Sequence, residues 1–117
     1  MKDTLYLLRP DFADAKAGTG TFFCPPCAAV TGMLTYFPKI KESLEVKVLD
    51  FPKPRTELFE LLGAEHQGCP VLVLAESSPV PAGVLVSTAK NGKRFVSDST
   101  AIGNYLAAVH GVSRPHP

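Results

Sequence analysis

The apolar positions of the chain fall into short runs of two kinds. Thr4–Leu8 is a compact apolar run closed by Arg9-Pro10, the pattern of a buried strand. Residues 11–21 are rich in Ala, Gly, Asp and Thr and show no period, which predicts a surface loop. From Pro25 onward Val30, Met33, Leu34 and Phe37 recur at helical spacing until Pro38 ends the pattern. Val46–Leu49 reads as a second strand, left through Pro52 and Pro54. Thr56–Leu62 predicts a short helix with Leu58, Leu61 and Leu62 on one face and Gly63 as its stop. Strands alternating with helices imply a parallel strand pair joined by a helical crossover.

The second half changes character. Val71–Leu74 is an apolar strand entered through Cys69-Pro70. Proline cannot donate to a strand ladder, so Pro70 belongs at the strand's first position or at a bend, and it is a candidate cis-proline. Residues 76–83 form a loop, and Val84-Leu85-Val86 is either a further strand or an insertion that lengthens a hairpin. Asn91-Gly92 turns the chain into a last strand at Arg94–Val96. Asp98-Ser99-Thr100 is a helix-capping cluster. The helix it opens turns Ile102, Leu106 and Val109 inward, with Tyr105 on or beside that face, and ends near Gly111. Residues 112–117 read as a polar tail. The expectation is one α/β domain over residues 1–117.

Composition removes several classes of function. At 117 residues and 45% hydrophobic content the chain suits one ordinary core. Its net charge of +1 lacks the concentrated basic face that nucleic acid requires. The one basic cluster, Lys90 to Arg94, surrounds the Asn-Gly turn and reads as a solvated hairpin tip. Met1-Lys2-Asp3-Thr4 has no signal-peptide organisation, and no apolar stretch is long enough for a membrane span. The expected location is therefore the cytoplasm, where a CxxC pair is catalytic or metal-binding more often than structural. Nothing in the pattern specifies an oligomeric state.

The candidate chemistry is concentrated in Phe22-Phe23-Cys24-Pro25-Pro26-Cys27. Pro25 holds the residue before it in extended backbone, which makes Cys24 the helix N-cap. Pro at the first helical position loses nothing, since that N–H has no partner in any helix. A thiolate at Cys24 then faces the positive end of the helix, and the thiolate is the reactive form of cysteine. Cys27, one turn on, is placed to attack a mixed disulfide formed at Cys24. The same spacing is half of a zinc site, and two inert buried thiols are the plainest alternative.

Taken together, Cys24-Pro25-Pro26-Cys27 after the first strand, Pro70 before the third and the Asp98-Ser99 helix start resemble the thioredoxin fold in its glutaredoxin form. The segment from Asp98 to Leu106 is similar to the corresponding helix start in the N-terminal domain of glutathione transferases, and the chain as a whole resembles bacterial thioredoxin-like proteins. The resemblance implies a thioredoxin-like βαβ-α-ββα domain with a four-stranded mixed sheet flanked by helices. It implies a thiol–disulfide oxidoreductase acting on glutathione or a protein thiol, with Cys24 as nucleophile and Cys27 as resolving thiol. It also implies glutathione contacts at Cys69 and Pro70 (the cysteinyl part) and at Asp98 and Ser99 (the γ-glutamyl end). A helix start with a free hydroxyl suits a carboxylate, and Asp98 suits an ammonium group. Simple capping by Asp98 or Ser99 is the alternative role. Transferase activity is not expected, because the chain does not extend into the helical second domain of those enzymes.

Cys69 departs from the resemblance, since that position is commonly apolar or Thr in the family. A third sulfur facing the CxxC pair opens two further readings. Cys24, Cys27, His66 and Cys69 compose a zinc set, and the three thiols suit an iron–sulfur cluster completed by glutathione or a second chain. The plain alternatives are an ordinary loop histidine at His66 and a small buried side chain at Cys69.

Overall fold

A computed structural model describes all residues, 1–117. Its elements in chain order are β1 (Asp3–Leu8), α1 (Pro25–Tyr36), α2 (Pro38–Glu42), β2 (Leu44–Leu49), α3 (Thr56–Leu62), β3 (Val71–Val73), β4 (Ser87–Thr88), β5 (Arg94–Ser97) and α4 (Ser99–His110). They build one mixed sheet in the order β2-β1-β3-β5-β4. β1 and β2 run parallel in register from Asp3↔Leu44 to Leu8↔Leu49. The remaining pairs, β1–β3, β3–β5 and β4–β5, are antiparallel. No helix is long and apolar enough to cross a membrane.

Strand alternation explains the layers. Side chains of successive strand residues point to opposite faces. Leu5 and Leu7, Leu72 and Leu74, and Val96 enter one core cluster with Cys27, Val30 and Leu34 of α1 and Ile102, Tyr105 and Leu106 of α4. Tyr6, Val71, Val73 and Phe95 enter the other cluster, with Leu58 and Leu62 of α3. Both faces of the central strands are therefore covered, as their uninterrupted apolar runs require.

Three details differ from the expected pattern: the strand count, the second role of Pro38 and the place of Arg94. The sheet has five strands rather than four, because Ser87–Thr88 pairs with Phe95 and Arg94 at one edge. Val84 and Val86 lie outside any strand and pack against the larger cluster, so the hairpin ladder begins one residue after the apolar triplet. Asn91-Gly92 makes the turn as expected, with Gly92 at φ +88° and the Asn91 amide donating to the Leu61 carbonyl at 2.8 Å. Pro38 does end α1, but it also opens α2 at the helix position where its missing N–H is harmless, and Ile40 is buried as a result. Arg94 is no solvated tip residue. Its guanidinium donates to the carbonyls of Ala75, Glu76 and Ser78 and pins that turn.

Residues 112–117 carry no regular structure, yet they are not free. Pro115 lies directly on α4 at Gly103, where an added Cβ would come within 2.4 Å of the proline ring. Gly103 is helical, so glycine here serves close approach rather than backbone freedom. Gly103→Ala improves helix propensity by about 1 kcal/mol but expels Pro115. The expected outcome is faster proteolysis within 112–117 with little change in the unfolding midpoint; unchanged cleavage would contradict the contact.

Candidate functional site

The loop before α1 and the loop before β3 bring Cys24 beside Cys69, with Cys27 in the first turn of α1. The segment preceding α1 is a closed loop, with Phe12 and Phe22 exchanging backbone hydrogen bonds of 3.1 and 2.8 Å. The Phe12 ring stacks on Phe51 with centroids 4.3 Å apart, tying this loop to the segment after β2. The chain then reaches Cys24, which caps α1 in extended backbone, with Pro25 and Pro26 in the first turn. Neither proline has an N–H. The first donor available to the Cys24 sulfur is thus Cys27, whose backbone N–H reaches Cys24 Sγ at 3.2 Å.

The two sulfurs of the pair sit in different surroundings. Cys24 is partly exposed, and its thiol donates to the Cys69 carbonyl oxygen at 3.9 Å. Cys27 is 5% exposed, belongs to the core cluster and accepts from the Leu8 backbone N–H at 3.5 Å. Burial pushes the Cys27 thiol up to about 12, aided by its interactions with Cys24 and Cys69. Burial likewise raises Cys69 to about 11, against the opposing pull of the Arg55 guanidinium. All three cysteines are free thiols.

The four residues expected at a small-thiol site line one cavity. Cys69, Pro70, Asp98 and Ser99 surround a space of about 400 Å³, with Pro26 bringing the dithiol loop to its rim. The Cys69–Pro70 peptide is cis. Asp98 adopts φ +67°, a left-handed value that Asp tolerates better than most residues. Its Oδ1 accepts from the N–H groups of Thr100 and Ala101. Capping thus occupies one carboxylate oxygen, while Oδ2 has no partner within the protein. The Ser99 hydroxyl likewise makes no hydrogen bond of its own within the protein and is half-buried at the cavity wall. Capping therefore leaves Asp98 Oδ2 and the Ser99 hydroxyl without protein partners at the cavity.

His66 also lines the cavity, but its ring packs on Phe95 with centroids 4.8 Å apart. No three His, Cys, Asp or Glu side chains are gathered closely enough to hold a metal ion. The set Cys24, Cys27, His66 and Cys69 is therefore not assembled as a coordination sphere.

Arg55 is the residue that periodicity missed. It is 8% exposed, and its guanidinium donates to Phe51 O at 3.1 and 2.6 Å and to Gln67 O at 2.7 Å. Its backbone N–H donates to the Gln67 side-chain oxygen at 2.7 Å, and its guanidinium lies over the Phe51 ring. One side chain thereby clamps the loop that stacks on Phe12 to the loop that enters Cys69. The available signal was an arginine directly after Pro52-Lys53-Pro54 at the mouth of an apolar helix, where a solvated charge has little room.

The buried thiols carry a pH signature. A thiol raised by folding holds its proton where the unfolded chain has lost it. The stability contribution is complete below the ordinary thiol range near 9 and is lost as pH rises toward about 12. The urea midpoint is expected to fall between pH 8 and pH 10.5, and to fall less in Cys27→Ala; an equal fall in both proteins would contradict the assignment.

Comparison with known proteins identifies the family. The family described as "Protein of unknown function (DUF3088)" matches residues 2–114, and the chain belongs to it. No curated protein and no solved structure matches the chain.

Proposed function

We propose that this family member is a thioredoxin-like, glutaredoxin-type thiol–disulfide oxidoreductase. Cys24 attacks a disulfide, the substrate's other half leaves as a thiolate, and Cys27 resolves the mixed disulfide to give a Cys24–Cys27 disulfide and a second released thiol. The observation that carries this reading is the placement of Cys24. It is a partly exposed thiol at a helix start, within 3.9 Å of the carbonyl of Cys69, which lines a cavity of about 400 Å³. The element order supports a thioredoxin-like arrangement. With α2 and the two-residue β4 set aside, it reduces to βαβ-α-ββα around a sheet ordered β2-β1-β3-β5.

Glutathione is the small thiol that this reading places in the cavity. Its γ-glutamyl ammonium group meets the free Asp98 Oδ2, its carboxylate meets the Ser99 hydroxyl and the start of α4, and its cysteinyl backbone lies along Cys69 and Pro70. Protein disulfides reach the same sulfur, since Phe23, Pro25 and Pro26 beside it are exposed.

The test is turnover of 2-hydroxyethyl disulfide with glutathione as reductant. Catalysis above the background rate is expected. Ser99→Ala should raise KM for glutathione about tenfold, the worth of roughly one hydrogen bond to a charged group, with little change in kcat. Background turnover by the reduced, folded protein would refute the enzymatic reading. An unchanged KM in Ser99→Ala would remove glutathione from the cavity.

A further inference from the structure

We infer that Cys69 is a second resolving thiol, competing with Cys27 for the mixed disulfide at Cys24. This inference rests on the nucleophilic role proposed for Cys24. It starts from an asymmetry among the three sulfurs. Cys27 approaches Cys24 from inside the protein, being a core residue packed with Val30 and Leu34 and held by the Leu8 N–H. Cys69 belongs instead to the segment that enters β3. It lines the cavity, is only partly buried, and its carbonyl oxygen is 3.9 Å from Cys24 Sγ. In the proposed reaction the half of a substrate that stays bonded to Cys24 occupies that same cavity, whose wall carries Pro26 beside Cys24 as well as Cys69. Cys69 is therefore the thiol on the substrate's side.

Charge favours the same assignment. The Cys69 thiol is held up by burial, but a cation offsets part of that effect, whereas no cation acts on Cys27. The cation is Arg55. Its guanidinium is bonded only to the carbonyls of Phe51 and Gln67 and takes part in no ion pair, so no carboxylate neutralises it. The Cys24 sulfur also raises Cys69 while it is ionised. In the mixed disulfide Cys24 carries no charge, and this repulsion vanishes at the moment a resolving thiolate is needed.

The step balances without an added oxidant. Cys69 loses its proton to solvent in the open cavity, and its thiolate attacks Cys24 Sγ. A Cys24–Cys69 bond forms, and the bond from Cys24 to the substrate sulfur breaks. The substrate leaves as a thiolate that takes up a proton. Relative to the mixed disulfide no net oxidation occurs; two electrons have passed to the original substrate disulfide over the two exchanges. Closure requires the two Cα atoms to approach within about 4.4–6.8 Å.

The experiment uses the full chain with Cys27→Ser and, as the comparison, Cys27→Ser/Cys69→Ser. Each reduced protein is mixed with glutathione disulfide and followed by intact mass and by peptide mapping without reduction. In the single variant the glutathionyl adduct on Cys24 should decay at least tenfold faster than in the double variant, yielding a Cys24–Cys69 cross-linked peptide. Cys27→Ala, which places no hydroxyl in the core, should behave as Cys27→Ser does. Equal adduct lifetimes in the single and double variants, with no 24–69 peptide, would overturn the role of Cys69 and leave that of Cys24 intact. Absence of any adduct at Cys24 would overturn both.

Discussion

Cys24→Ser is expected to lose disulfide exchange by about two orders of magnitude or more while folding normally. Serine is a good helix N-cap, so α1 keeps an oxygen acceptor in place of the sulfur that now receives the Cys27 N–H. Stability should change little. Activity has no such substitute. The thiols that remain are Cys27, at about 12, and Cys69, at about 11. At pH 7 such thiols are roughly one part in ten thousand ionised for Cys69 and roughly one in a hundred thousand for Cys27, and only the thiolate attacks. Burial of Cys27 lowers its access further. The measurement is initial rate with 2-hydroxyethyl disulfide beside a urea unfolding curve. Residual activity within tenfold of the parent would mean that another sulfur is the nucleophile.

The largest stability effect is expected at Arg55. Arg55→Ala leaves the partly buried carbonyls of Phe51 and Gln67 without their donors. A buried acceptor stripped of its partner costs about 1–3 kcal/mol; partial burial puts each carbonyl at the low end, so the pair predicts a loss of about 1–3 kcal/mol. The guanidinium's stacking on Phe51 is lost as well. Arg55→Lys keeps the charge but not the fork, and it cannot serve both carbonyls at once. It should recover less than half of the loss. Chemical denaturation of the three proteins reads this directly; a loss below about 0.5 kcal/mol in Arg55→Ala would show that the clamp is incidental. Because the clamp joins the Phe12–Phe51 stack to the approach to Cys69, exchange activity should fall with it.

These two sites differ in how far the sequence reveals them. Cys24 was legible because local rules suffice. Proline after cysteine fixes the cap, the cap fixes the helix start, and the structure places α1 from Pro25 as expected. The same holds for α3, whose bounds follow from Leu58, Leu62 and Gly63, and for α4, capped by Asp98 and ended at Gly111 in the left-handed region. The central strands were legible from apolar runs that cover both faces of the sheet. The assembly of Cys69, Pro70, Asp98 and Ser99 around one cavity came from resemblance, not from periodicity.

What stayed hidden depends on partners distant in sequence. Arg55 gives no periodic signal, and its acceptors lie four and twelve residues away. Phe12 sits in a stretch without pattern, and its role comes from its bridge to Phe22 and its stacking on Phe51. Pro115 reads as tail until Gly103 is seen to make room for it. The edge strand at Ser87–Thr88 is polar and two residues long, so its pairing with β5 defines it rather than its composition. α2 escaped because Pro38, a correct stop for one helix, is also a permitted start for the next.

One measurement bears most directly on the claim that Cys24 is the attacking sulfur. The reduced wild-type protein is treated with one equivalent of 2-hydroxyethyl disulfide, quenched with acid and mapped without reduction. The account predicts two thiols lost per chain, with Cys24 in every disulfide found, joined to Cys27 or to Cys69. Recovery of Cys24 as a free thiol while disulfide bonds have formed elsewhere would contradict it.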